Sequence, residues 1–415
     1  MAKVLDPSLA EQGRLKIEWA ESRMPVLMEL KKHYSQTKPL KGFRIAGCLH
    51  ITKETAVLVR TLQAAGAQAS WCGCNPLSTQ DDVAAALAAE GIDVYGWRGL
   101  SNEEYYWCVE ESLKIKPHLT IDDGADLVFV VHNKHPELLK DIIGGCEETT
   151  TGINRIRAMA DSKMLKYPVV AVSDAETKWD FDNVFGTGES TLDGIKRATN
   201  VMYAGKTVVV AGYGHCGKGV ASRVRGNGAN VVLTEVNPIA ALRARMEGFK
   251  VMTMDDAAKV GDIFITVTGC SDVITEKHFS TMKNGAILAN SGHFNVEIDA
   301  AALDKISMSK KQMRDNNIEY TLHNGNKIYL LAEGRLVNLS AAEGHPSEVM
   351  DMSFANQFLS LLWLAKNKGI KPDVYPVPKG QDAEVASLKL STMGITIDKL
   401  TPAQEKYLSG FEAGT

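Results

Sequence analysis

One segment restricts the fold of this chain more than any other. Val208-Val209-Val210-Ala211 runs straight into Gly212-Tyr213-Gly214-His215-Cys216-Gly217, and helical patterning begins near Cys216. A strand that is nearly all valine is one buried on both faces, as in a parallel sheet covered by helices. The three glycines permit a tight turn, close approach to a pyrophosphate and close packing of helix on strand, while the helix N-terminus turns oriented N–H groups toward phosphate charge. A second strand, Val231 to Thr234, ends at Glu235, where an acid holds a ribose 2′-OH; no Arg follows at once, so NAD is expected rather than NADP. A glycine-rich turn in a packed domain gives the same loop without a ligand. The preceding strand, the following helix and the acid at the right distance favour the dinucleotide.

The 415 residues are too many for one ordinary core. Two blocks of alternating strand and helix signals divide them. The first runs through Phe43–Leu49, Lys53–Ala65, Gln68–Cys72, Thr79–Ala89, Asp93–Trp97, Asn102–Leu113 and Leu119–Asp122, then a helix near Pro136–Ile143 and a strand at Val169–Ser173. One long amphipathic helix, Ser8 to Ser35, precedes it, and the second block begins at Lys206. Such alternation predicts α/β architecture: two doubly wound, Rossmann-like parallel-sheet domains joined by a hinge. Asn324-Gly325 between Ile318–Leu322 and Lys327–Leu331 signals a hairpin, and a long helix from about Pro346 to Ala365 returns to the first domain. The cofactor domain (185–340) is thus inserted into a substrate domain (1–184 with 341–370), and residues 371–415 read as a short C-terminal extension. Hinge segments are expected near 183–190 and 338–344.

A net charge of -4 lacks the basic excess a nucleic-acid or membrane partner would require, and neither is expected. Seven scattered cysteines without a CxxC pair predict no structural zinc. An odd count, with no apolar leader in Met1 to Leu9, fits reduced thiols in a cytoplasm.

Several polar clusters have a bland and a chemical reading. Thr52 is a plausible helix N-cap, with Glu54 in the first turn. Asp122, Asp123 and Asp126 end a strand; with no His or second acid at ligand spacing, no metal is expected. Glu147-Glu148-Thr149-Thr150-Thr151-Gly152 sets acids beside three hydroxyls, either a cap or donors to a ligand reaching in from the second domain. Lys178 and Asp182, four apart, form an ion pair on one helix face or a lysine base tuned by a carboxylate. His293 packs in a loop or touches cofactor.

Taken in order, Cys48-Leu49-His50, the run Asn75 to Asp81, Asp122-Asp123-Gly124, Glu147 to Gly152, Lys178 with Phe181-Asp182-Asn183, Gly212 to Gly219, Gly292-His293-Phe294, Leu331 to Leu339 and Gly344-His345-Pro346-Ser347 closely resemble the S-adenosyl-L-homocysteine hydrolase family. The resemblance runs from about Arg44 to at least Phe354. It implies a hydrolase that keeps NAD: the ribose 3′-OH is oxidised, the C4′ proton becomes removable, homocysteine is eliminated, water adds, and the ketone is reduced again. It implies Asp123 as the acid/base at C4′. Lys178 and Asp182 fall at the ribose hydroxyls, with Lys178 the base for the 3′-OH and Glu148 beside them. His50 falls near C5′ and His293 near the ribose, completing the catalytic set. Thr52 and Glu54 fall on the purine side, and His345 lines the base and the homocysteine channel. Thr149, Thr150, Thr151, Asn183, Gly214, Gly217, Glu235, Gly292, His293 and Asn338 match NAD contacts. Gly212, His215, Cys216, Lys218, Gly219, Thr268, Ser291 and His345 complete the expected cofactor set. The implied partners are a small-molecule thioether and further copies of the chain, as tetramer or dimer.

Three departures stand out. Ser173 occupies the place of an asparagine near the lysine, and Ala240 that of an asparagine at the adenosine ribose of NAD. The chain ends at Thr415 without the usual Lys- and Tyr-bearing tail that reaches a neighbour's NAD site. Three other functions compete. A plain NAD dehydrogenase would explain the loop but not the clusters beside it. A non-catalytic relative should have lost some of the acids and bases. A branch acting on S-inosylhomocysteine differs only in whether the purine pocket reads a 6-amino or a 6-oxo group; Glu54, if ionised, accepts from the amine, and adenosine specificity is expected.

Overall fold

The computed structural model describes residues 2–411. The first block builds β1 (Arg44–Cys48), β2 (Gln68–Cys72), β3 (Asp93–Tyr95), β4 (Leu119–Asp122), β5 (Gly144–Glu147) and β6 (Val169–Ala171). The second builds β7 (Thr207–Ala211), β8 (Asn230–Thr234), β9 (Lys250–Val251), β10 (Ile263–Thr266), β11 (Ala286–Asn290), β12 (Ser307–Arg314), β13 (Asn317–Leu322) and β14 (Lys327–Leu331), and β15 (Val374–Pro376) follows near the C-terminus.

The first sheet has the order β3-β2-β1-β4-β5-β6-β15 and is parallel throughout. The second runs β9-β8-β7-β10-β11-β14-β13-β12. In each, the winding reverses beside the first strand, between β1 and β4 and between β7 and β10. A crevice opens at such a point outside the carboxyl ends of the strands, and ligands lie there. The valine strand behaves as its composition requires: Val208 and Val210 enter one apolar cluster, and Val209 enters the cluster on the opposite face. The helix Ser347–Lys366 crosses back and buries Phe354, Ala355, Phe358, Leu361 and Leu362 in the core of the first sheet.

Several elements differ from the pattern read from sequence. The long N-terminal helix is two, Ala10–Arg23 and Pro25–Thr37. Proline forces its predecessor out of the α region, and Met24 has φ −119°. The helix expected near Pro136–Ile143 lies earlier, at Asp126–Lys134, with only one tight turn at Pro136–Leu138. Its Leu127-Val128-Phe129-Val130-Val131 run has no helical periodicity to betray it. β5 is glycine-led and carries no strand signal; a side chain at Gly144 would collide with Leu364 of the returning helix.

The hairpin forms about Gly325 (φ +84°), but a third strand, the exposed and charged β12, joins it, so the outer part of the second sheet is antiparallel. The segment read as an extension instead completes the first sheet. β15 pairs with β6, and Asp382 of the helix Gln381–Thr392 accepts from the Glu176 N–H at 2.7 Å and the Thr177 N–H at 2.9 Å. Residues 412–415, part of that extension, lie outside the described residues.

Candidate active site

The carboxyl ends of both sheets face one cavity of about 330 Å³. β1 delivers His50. Its Nδ1 lies 2.6 Å from Ser78 Oγ and its Nε2 3.4 Å from Asp123 Oδ2. Burial, helped by His293 and His345 and opposed by Asp123, pushes its pKa down to about 4, so the ring is a neutral imidazole at pH 7. β4 delivers Asp123, which also accepts from Cys74 Sγ at 3.5 Å and lies 3.7 Å from His293 Nδ1 across the interface between the two sheets' ends. His50, Cys74 and Asp123 thus bring three ligand-type atoms within 4.8 Å, a grouping invisible in their spacing along the chain.

Two fully buried acids hold this corner in shape. Glu147 accepts from the N–H groups of Gly124, Ala125 and Thr149 at 2.8, 3.1 and 2.9 Å. It thereby fixes Gly124 and Ala125, both at positive φ, directly after Asp123. Asp122 accepts from the N–H groups of Asp123 at 2.9 Å and Val128 at 2.8 Å. Burial and neighbouring carboxylates push Glu147 well up and Asp122 up to about 8. The clustered aspartates therefore do separate tasks: Asp122 orients, Asp123 faces the cavity and Asp126 takes Arg155 at 2.8 Å.

Glu148, next on the chain, accepts from Ser353 Oγ and, at 2.5 Å, from Gln357 Nε2, both on the returning helix. Burial outweighs the attraction of Lys178 and lifts it to about 7. Lys178 lies 2.7 Å from Asp182, 2.8 Å from Asn183 Oδ1 and 3.8 Å from Glu148. Burial opposes its charge, but Asp182 and Glu148 prevail and raise its pKa above the ordinary lysine value. Lys178 and Asp182 are indeed an i,i+4 ion pair, and both line the cavity as well. Lys178 ends the short helix Glu176–Lys178, and Asp182 lies in the π-helix Trp179–Gly186 that follows it, a widened geometry that recurs at functional sites and has no sequence signature here. His345 Nδ1 bonds Asp182, and its Nε2 lies 3.3 Å from Thr187 Oγ1.

Thr52 does cap its helix, accepting from the Thr55 N–H, yet it lines the cavity with Glu54. Thr149 sits at a helix N-cap without a capping side-chain bond; it, Thr150 and Thr151 all line the cavity. Ser173 meets Thr150 Oγ1 at 2.9 Å.

On the second sheet, β7 ends at Gly212 (φ +102°) and Gly214 caps the helix His215–Gly226 without a side-chain bond. A Cβ on Gly217 would strike the Gly212 carbonyl and one on Gly219 the Val184 carbonyl, whereas one on Gly214 meets nothing within 4 Å. Two glycines therefore serve packing, and the third leaves an open cradle at a helix N-terminus, which fits a dinucleotide phosphate. Asn338 Oδ1 is buried with no partner among the described residues, an acceptor left for a ligand donor. Gly214, His215, Cys216, Asn183, Thr268, Ser291, Gly292, His293 and Asn338 all line the cavity, while Gly212, Gly217, Lys218, Gly219 and Glu235 lie outside its lining. Glu235 binds the loop itself, accepting from the N–H groups of Tyr213, Val236 and Asn237 at 2.7, 2.7 and 2.9 Å. Ala240 lies in the first turn of the next helix, Pro238–Met246, its N–H on Asn237 Oδ1.

Sequence reasoning placed Asn290 at a strand end facing the cofactor but missed its anchoring role, and missed Glu297 altogether. Glu297, 1% exposed, anchors the Thr268 and Gly269 N–H groups, and Asn290 ties the Gly292, Phe294 and Gly334 carbonyls. Glu297 sits in the mixed run Asn295-Val296-Glu297-Ile298-Asp299 and Asn290 closes an apolar strand, patterns too common to mark an anchoring role. Among the described residues no helix is long and apolar enough to cross a membrane.

The fold and this cavity define an NAD-binding α/β enzyme with an acid–base cluster facing its dinucleotide loop. Comparison with known proteins gives the family. Residues 1–137 match the model described as S-adenosyl-L-homocysteine hydrolase, and residues 183–344 match its NAD binding domain. The chain is 56% identical to an adenosylhomocysteinase of Sulfolobus acidocaldarius over 100% of this chain and 99% of that one. It is 55% identical to an S-inosyl-L-homocysteine hydrolase of Methanococcus maripaludis over 100% of both, and 56% identical to an adenosylhomocysteinase of Aquifex aeolicus over 99% of both. The chain belongs to the S-adenosyl-L-homocysteine hydrolase family and carries its NAD-binding domain.

Proposed function

We propose that this enzyme reversibly hydrolyses S-adenosyl-L-homocysteine to adenosine and L-homocysteine. The observation that carries this reading is the meeting, in one cavity, of the Lys178–Asp182–Glu148 cluster, the His50–Asp123 pair and the open Gly214 cradle. Residues 1–184 with 341–370 hold the thioether and residues 185–340 the cofactor. NAD, when bound, supplies the hydride chemistry at the ribose 3′ carbon and is restored within each cycle.

The protein's own groups divide the proton transfers. Lys178 donates to the 3′ oxygen and then accepts its proton. As an ammonium gripped by Asp182 it must first pass a proton on, and Glu148, poised near neutrality and 3.8 Å away, is placed to receive it. Asp123, fixed by Asp122 and Glu147, takes the proton from C4′. Neutral His50, 3.4 Å from Asp123, relays the proton taken from C4′ to the departing thiolate, and in the next step takes a proton from the water that adds at C5′ and passes it back toward Asp123 for return to C4′. His293 closes over Asp123 from the cofactor side, and His345 steadies Asp182. Glu235, Lys218 and the backbone of the glycine loop hold the dinucleotide at its outer end. Enclosure of the cluster keeps water from the reactive ketone.

Glu54 reads the purine as an acceptor, which favours the 6-amino group, and this distinguishes the reading from S-inosylhomocysteine hydrolysis. Seven free cysteines fit a cytoplasmic enzyme, and we infer a homo-oligomer. Thiol release from S-adenosyl- and S-inosylhomocysteine, compared at equal concentration, tests the substrate. Faster release from the adenosyl compound supports it, and reaction of the inosyl compound alone refutes it.

A further inference from the structure

The purine wall holds a charge that no motif marks. Glu54 is 1% exposed; its Oε1 accepts from Ser347 Oγ at 2.6 Å and lies 3.2 Å from Lys53 Nζ. Lys53 is 8% exposed, and its Nζ reaches Glu343 Oε2 at 3.0 Å. Glu343, on the segment where the chain crosses back, also meets Arg197 of the cofactor side at 3.2 Å. Glu54 and Glu343 line the cavity, and Lys53 stands behind them. Burial works against the lysine charge, but the two carboxylates outweigh it and lift its pKa.

A carboxyl group can serve either purine. Ionised, it only accepts and suits a 6-amino group; protonated, it donates and suits a 6-oxo group. We propose that Lys53 determines substrate specificity: its ammonium, clamped between Glu54 and Glu343, keeps Glu54 an acceptor and so selects the 6-aminopurine thioether over the 6-oxopurine one. Lys53 is a positioning residue, acting through Glu54 without touching substrate. This rests on the adenosyl reading above.

The test measures kcat/KM for S-adenosyl- and S-inosylhomocysteine by thiol release, with NAD-loaded full-length protein. In Lys53→Met the adenosyl-to-inosyl ratio should fall about ten-fold or more, the scale of a charge-assisted hydrogen bond, through a higher KM for the adenosyl compound and a lower one for the inosyl compound. Lys53→Arg should restore most of the ratio. A merely structural role would lower both substrates together and leave the ratio unmoved, and that result, in a parent that prefers the adenosyl compound, overturns the inference. Should Lys53→Met fail to hold NAD, Glu343→Gln decides. It leaves Lys53 paired with Glu54 alone, so the adenosyl preference persists, and a swing toward the inosyl compound overturns the inference. A parent that itself prefers the inosyl compound overturns the substrate reading instead, and this inference with it.

Discussion

Asp122 offers a sharp physical test, because its cost to the fold depends on pH. The side chain is fully buried and accepts two backbone N–H groups, which favour its ionised form. Burial, aided by Asp126 and Asp123, outweighs them and lifts its pKa from 3.8 to about 8. In the unfolded chain Asp122 ionises near pH 4. Between pH 4 and 8 the folded protein therefore keeps a proton that the unfolded chain has released. Its contribution is fully present below pH 4 and is lost as pH rises toward 8, at about 1.4 kcal/mol per pH unit. Asp122→Asn removes that titration and leaves one N–H facing an amide, a pH-independent loss of about 1–3 kcal/mol. In urea unfolding at pH 5.5 and 7.5, with protein and NAD concentrations fixed, the parent's advantage over the variant should shrink by nearly 3 kcal/mol. An advantage that stays constant across that range would refute the assignment of a proton to this corner.

Three further outcomes follow from the same geometry. Lys178→Ala should retain NAD yet lose thiol release by about 10²–10⁴-fold, and near-normal rates would sink its assignment as the ribose base. Gly219→Ala drives a methyl into the Val184 carbonyl. It should cost about 1–3 kcal/mol and speed the loss of NAD on gel filtration, so unchanged retention would contradict the packing argument. Asp382→Ala frees the Glu176 and Thr177 N–H groups just ahead of Lys178. It should lower kcat while bound NAD stays constant; a variant with unaltered kcat would show that the C-terminal helix does not support the lysine.

Much of this was legible in the residues, for reasons that differ by element. The valine strand, the glycine loop and the Asn-Gly hairpin are local signals whose geometry is set within a few residues, and β7, Gly212 and the β13–β14 turn lie where those signals put them. The helix Ser347–Lys366 was readable because its apolar content spans many turns. What stayed hidden was decided at long range. Gly144 opens a strand packed under Leu364 of the returning helix Ser347–Lys366, and Val374–Pro376 pairs with the edge that β6 offers. The site shows the same division. His50, Asp123 and Lys178 stood out as polar groups at element ends. Lys53, Glu147 and Glu297 looked like ordinary cap and surface acids and bases, because their partners, Glu343, Gly124 and Thr268, are brought to them by the fold.

What separates this enzyme from a dehydrogenase is a cofactor that acts as a resident catalyst. The direct measurement follows thiol, adenosine and reduced nicotinamide together while the NAD-loaded protein turns over S-adenosylhomocysteine many times. Equal thiol and adenosine with no net gain of NADH is the predicted result. NADH accumulating in step with substrate consumed, without free thiol, would contradict it.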